Sequence, residues 1–130
     1  MLGTMEFVNT YLDALAAADT EKILSLFADD AVVVSPLYGE LPAAEFYPAL
    51  FADSASAKLT LRSVMRGETA TGTPTVAFWF DFDWVLRDGA AAPFEVVDIA
   101  ELDASGRISR LHIIYDTVTV RPAFDKATVR

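Results

Sequence analysis

The chain has 130 residues, 53% of them apolar, with 10 basic against 19 acidic side chains and a net charge of −9, which suits one domain over residues 1–130 and argues against nucleic acid or an anionic membrane as partner. Cysteine is absent, so disulfides, thiol nucleophiles and thiolate metal sites are excluded. No apolar run approaches the roughly eighteen residues of a membrane span, and no basic region followed by an apolar one opens the chain, so no signal peptide and a cytoplasmic location are expected.

Thr4 to Ala18 reads as a helix capped by Thr4, with Val8, Tyr11, Leu12 and Leu15 recurring at helical spacing on one face. Asp19 caps a second short helix whose apolar face is Ile23, Leu24 and Phe27, and Asp29-Asp30 ends it. Ala31 to Ser35 is a short β-prone run, and Pro36 to Pro42 a loop around Gly39. Ala43 to Phe51 is helical, kinked or broken at Pro48. Lys58 to Glu68 alternates, with Leu59, Leu61, Ser63 and Met65 on one side. Pro74 to Arg87 is a long strand, and Arg87-Asp88-Gly89 carries a hairpin signal. Pro93 to Leu102 is the next strand, Ala104-Ser105-Gly106 a turn, and Arg107 to Val120 a long final strand. The order α-α-β-α-β-β-β-β places helices on one face of a curved antiparallel sheet, an α+β class.

Two strands carry the chemistry. Phe78, Phe80, Phe82 and Trp84 share one parity and Asp81 and Asp83 the other, giving an aromatic face backed by a wet one. Four rings in a row can be plain core or the wall of a cavity for an apolar ligand. In the following strand Phe94, Val96, Ala100 and Leu102 share the parity of Asp98. Asp98 is then the one charge on an apolar face. An unpaired carboxylate there costs several kcal/mol, so the group must be paired or kept neutral. It reads equally as a functional acid or as a core acid satisfied by backbone donors.

Several segments resemble the nuclear transport factor 2-like superfamily, and within it the ketosteroid isomerases and SnoaL-like polyketide cyclases. They are Tyr11-Leu12-Asp13-Ala14-Leu15 followed by Asp19, Leu26-Phe27-Ala28-Asp29-Asp30-Ala31, Glu45-Phe46-Tyr47, Val97-Asp98 and Gly106-Arg107-Ile108. The resemblance runs from Glu6 to about Val120. It implies a cone-like α+β barrel of SnoaL-like type enclosing a hydrophobic pocket, with no cofactor and no metal. In the isomerases a helix tyrosine and a protonated aspartate on a late strand form an oxyanion hole. The resemblance puts Tyr11 and Asp98 in those places, and Tyr47 where a second tyrosine supports the first. The isomerase base, an aspartate before a proline, is Ser35 here, beside Pro36, and a serine hydroxyl is a poor base. In the cyclases one aspartate serves as both acid and base.

The resemblance therefore implies proton-transfer chemistry (isomerisation, cyclisation or dehydration) on a hydrophobic carbonyl compound. Asp98, Tyr11 and Tyr47 would be catalytic. Ser35, Phe80, Phe82, Val96, Ala100, Leu111, Ile113 and Tyr115 would line the pocket. One alternative is a ligand-binding or dimerisation module without chemistry. Another is epoxide hydrolysis by an Asp-Arg-Asp set drawing on Arg87 or Arg110. His112, the only histidine, has the outward parity beside Arg110, Ile114 and Asp116. Asp81 and Asp83 lack the companions a metal needs. Ile114, Val118 and Val120 are apolar on the outward parity, in keeping with the homodimers common in the superfamily.

Overall fold

A computed structural model describes residues 3–129. Helix α1 (Thr4–Ala16) buries Val8, Tyr11, Leu12 and Leu15, the face set by their spacing. Gly3 rather than Thr4 occupies its N-cap, with no side-chain cap bond, so Thr4 is the first helical residue. Asp19 caps α2 (Thr20–Leu24), accepting a hydrogen bond from the Lys22 N–H at 3.0 Å. Phe27 is not in that helix. It opens strand β1 (Phe27–Ser35), opposite Ile108. Asp29 and Asp30 lie within β1, where five residues advance against two of the partner strand and the ladder lapses. The irregularity leaves both carboxylates in water.

The segment expected as a loop holds a four-residue strand, β2 (Gly39–Pro42), paired antiparallel with β1. Its connection is a tight three-residue turn closed by Gly39 at φ 76°, a backbone conformation that favours glycine. Because β2 lies at the sheet edge, Pro42 deprives no neighbour of a donor. Helix α3 (Ala43–Ala52) runs through Pro48 without interruption. Strand β3 (Ser54–Glu68) begins four residues earlier than expected and pairs with β4 (Pro74–Leu86). Strand β5 (Phe94–Leu102) and strand β6 (Ile108–Ile114) follow. The last strand is thus shorter than the predicted run to Val120. After it the chain turns, and Val120–Ala127 forms helix α4, which the sequence reading lacked.

The sheet order is β2-β1-β6-β5-β4-β3. Its pairings are antiparallel except that β1 runs parallel to β6. Two bulges in β3, between Ser54 and Ser56 and between Leu61 and Ser63, each set two residues against one of β4. A bulge bends its strand and increases twist, so the sheet curves around the helices as an open cone. The second bulge also reverses the side-chain parity of β3. Leu59 and Leu61 stand opposite Phe82 and Phe80, but Val64, not Ser63, stands opposite Phe78. Met65, expected on the same side as Leu59 and Leu61, is exposed.

The concave face carries the core. Phe78, Phe80, Phe82 and Trp84 are buried there, each contributing about 2–3 kcal/mol of hydrophobic stabilisation. Val120 joins the core as the first residue of α4, so it is not part of the outer face. Ile114 and Val118 are exposed, 55% and 72%. Among the described residues no helix is long and apolar enough to cross a membrane.

Candidate functional site

Asp98 stands in the middle of β5, between Phe78 on β4 and Ile113 on β6. It is 2% exposed, and its Oδ1 is buried without a hydrogen-bond partner. Burial pushes its carboxyl up to about 8, and the nearby Tyr11 hydroxyl opposes that rise by hydrogen bonding. The desolvation of a charged form in a dry site outweighs one donor. Below that value the carboxyl is predominantly neutral and carries a proton.

Tyr11 reaches the same place from α1. Its hydroxyl is 2.7 Å from that of Tyr47 on α3, and its ring meets Phe78 edge-on at 5.2 Å. Both tyrosines are buried. Burial holds both phenols well above their ordinary range, and the Asp98 charge adds to the effect on each. They therefore remain protonated. Three adjoining hydroxylic groups thus sit in an apolar interior, where each fixed donor is strong because water does not compete.

These groups border a narrow, partly open cavity, with about 40 Å³ of enclosed space inside about 430 Å³ of empty volume that continues into solvent. Tyr11 and Asp98 form its polar wall. Of the other sequence-predicted lining residues, β4 supplies Phe80 and Phe82, β5 supplies Val96, and Ser35, Ile113 and Tyr115 complete the group. Ala100 and Leu111 are fully buried but do not line it, because they pair with each other one step further along the sheet. Tyr47 does not line it either, and its hydroxyl is joined to the cavity wall through that of Tyr11.

Sequence reasoning missed other lining residues, among them Tyr38, Phe46, Trp84 and Phe94. Trp84 and Phe94 had the correct parity and could have been included on that ground. Tyr38 lies in the turn after β1, and no pattern in the sequence aims it inward. Its hydroxyl donates to Asp53 Oδ2 at 2.8 Å, and Arg87 stands 3.7 Å from the other oxygen of that carboxylate. Phe124 of α4 packs on Tyr38 at 5.2 Å and on Trp84 at 6.0 Å. Helix α4 is pinned there by Arg121, which donates to the Pro36 carbonyl at 2.6 Å, and by Arg87, which donates to that of Ala127 at 3.0 Å. The helix closes this end of the cone.

Ser35 borders the cavity as the resemblance predicted, but not as a base. Its Oγ accepts the Leu37 and Tyr38 N–H groups, each at 3.2 Å. This side-chain turn fixes the β1–β2 connection. Arg87 and Arg110 lie outside the cavity, paired with Asp53 and Glu40, so neither joins Asp98 in an Asp-Arg-Asp set. His112 is on the outer face, 2.6 Å from Glu101, and Asp81 pairs with Arg62 at 2.9 Å. Among the described residues no three His, Cys, Asp or Glu converge to hold a metal.

Solved structures share this fold at low sequence identity. A protein of ketosteroid isomerase-like fold from Catenulispora acidiphila, in complex with trimethylamine, superimposes with TM-score 0.75 at 14% identity, over 91% of each chain. TerC, co-crystallised with polyporic acid, gives 0.73 at 21% identity, over 94% of this chain and 98% of that one. A protein assigned as a polyketide cyclase from Pseudomonas putida gives 0.64 at 16%, over 93% and 98%. Such likenesses establish the fold and leave the chemistry to the site. No curated protein matches the sequence. Residues 8–111 match the SnoaL-like domain, and with most of its length inside that match the chain belongs to the SnoaL-like family.

Proposed function

We propose that the protein is an enzyme that moves a proton within a hydrophobic carbonyl compound, by isomerisation, cyclisation or dehydration. The observation that carries this reading is the buried, unpartnered Oδ1 of Asp98 at the wall of an apolar cavity. Such an atom is costly in the empty protein and is relieved by a ligand that bonds to it. A carboxyl near 8 is also well placed for both halves of a proton shuttle around neutral pH. As carboxylate, Asp98 takes the proton α to the carbonyl: the C–H bond breaks, an O–H bond forms on Asp98, and the electron pair moves onto the ligand oxygen. The Tyr11 hydroxyl stabilises that oxygen, and Tyr47 holds Tyr11 in place. The resulting Asp98 acid returns the proton to a different atom, which completes the isomerisation or ring closure. A relative of this fold crystallised with polyporic acid supports a small organic ligand.

Turnover of a cyclic 1,3-dicarbonyl by wild type and by Asp98→Asn tests this. The variant should lose about a hundredfold or more, within the usual contribution of general acid–base catalysis. In the wild type, kcat/KM should rise about tenfold per pH unit and level off near pH 8. Undiminished turnover by the variant sinks the proposal.

The second reading, a binding module without chemistry, is favoured by Ser35, whose oxygen is committed to the turn where the isomerases keep a base. On that reading ligands bind but no proton exchanges. We also propose a second copy of the chain as partner on the outer sheet face, supported by the exposure of Ile114. Sedimentation of Ile114→Asp, which should shift toward monomer, tests it.

A further inference from the structure

Ser35 Oγ borders the cavity and accepts two backbone N–H groups. A hydroxyl has two lone pairs and one proton. With both lone pairs engaged, the proton is the one function Ser35 has left, and among the described residues no acceptor takes it. Ser35 is 7% exposed and borders the cavity among apolar side chains. The turn therefore makes Ser35 an obligate donor, pre-oriented and unable to act as a base.

Its position relative to Asp98 follows from the sheet. Val34 pairs with His112 on β6, and Ser35 is one residue further along. Ile113, one residue beyond His112, pairs with Asp98 on β5. Ser35 and Asp98 thus lie on the two strands flanking β6, with inward-facing Ile113 between them. Two strand spacings set their backbones roughly 10 Å apart, and the concave curvature brings their side chains closer. The wall between them is the apolar side chain of Ile113, and Val96 and Phe80 extend the apolar wall along β5 and β4.

We infer that the ligand carries two oxygen acceptors on opposite sides of an apolar body, one taken in the resting complex by Tyr11 and the neutral Asp98 acid, and the second by the Ser35 hydroxyl. This rests on the proposed function only in placing the ligand in the cavity. It adds that Ser35 determines specificity. A monocarbonyl compound leaves the Ser35 proton unsatisfied and is discriminated against.

Calorimetric binding of acetophenone, 1,3-diacetylbenzene and 1,4-diacetylbenzene to the whole protein tests the inference. The wild type should bind at least one diacetyl compound about tenfold more tightly than acetophenone. Ser35→Thr keeps the hydroxyl and should keep the preference. Ser35→Asp can still accept both N–H groups, so the turn is preserved, but the carboxylate has no proton to give, and the preference should vanish. Acetophenone should bind wild type and Ser35→Thr alike and weaken in Asp98→Asn. If acetophenone binds with Asp98 dependence but neither diacetyl compound is preferred, or the preference survives in Ser35→Asp, the role of Ser35 is refuted and the proposed function stands. If none of the probes binds the wild type, both fall.

Discussion

Replacing Asp98 by Asn should change how stability depends on pH, and the size of the change follows from burial. In the unfolded chain the carboxyl titrates near 3.9, and in the fold near 8. The folded state therefore holds a proton that the unfolded chain has lost across that interval. The group's folded value is raised, so the wild type keeps its full stability below about pH 4 and loses it as pH rises toward 8. The loss is about 1.4 kcal/mol per pH unit, at most about 6 kcal/mol in all, comparable to the whole stability of a small domain. An amide does not titrate. It imposes a constant offset from its own unsatisfied polar atoms, and the other titrating groups are common to both proteins. Urea denaturation of both at pH 4, 5, 6, 7 and 8 should show wild type losing several kcal/mol relative to the variant. Parallel curves would mean that Asp98 titrates normally in the fold, and would refute the reasoning from desolvation together with the proton shuttle built on it.

Tyr11→Phe leaves the Tyr47 hydroxyl without its partner and should cost about 1–2 kcal/mol in urea denaturation. It should also move the Asp98 titration upward in carboxyl NMR, since the Tyr11 hydroxyl holds it down. Pro48→Ala restores a backbone donor inside α3 at an exposed position. The helix gains up to about 3 kcal/mol, less about 1 kcal/mol from the freer unfolded chain, so the Tm should rise by about 4 °C or more. Phe124→Ala removes the ring that joins α4 to Tyr38 and Trp84. It should cost about 1–3 kcal/mol, less than a fully buried phenylalanine, and should speed amide exchange across Val120–Ala127 more than in β5.

The parities of β4 and β5 were legible because a strand exposes its two faces strictly in turn. That one rule located Asp98, the four inner aromatics and part of the cavity wall. The same rule failed in β3, because the bulge after Leu61 inserts a residue and no sequence signal marks it. Helix α4 was hidden by Thr117, Val118, Thr119 and Val120, a run that reads as more strand. The better signals were Asp116, whose side chain accepts from the Val118 N–H to end the extended segment, and Pro122, placed in the first turn of α4 where a missing donor costs nothing. Strand β2 has weak propensity of its own and exists because β1 offers it an edge. The role of Ser35 was the least legible part. A serine before a proline gives no sign of which lone pairs are occupied, and only the geometry of the turn does.

The parallel pairing of β1 with β6 has a kinetic meaning. Phe27 must find Ile108, so closing the sheet means closing a loop of about eighty residues before the contacts that compensate for it form. Hairpins β3–β4 and β4–β5 can assemble early from neighbouring sequence, but the strand bearing Ser35 joins them only through β6. Asp98 and Ser35 are brought to the same cavity in that late step. A chain halted before β6 would display an aromatic sheet face with no site on it, and refolding should regain amide protection in β3–β5 before it regains ligand binding.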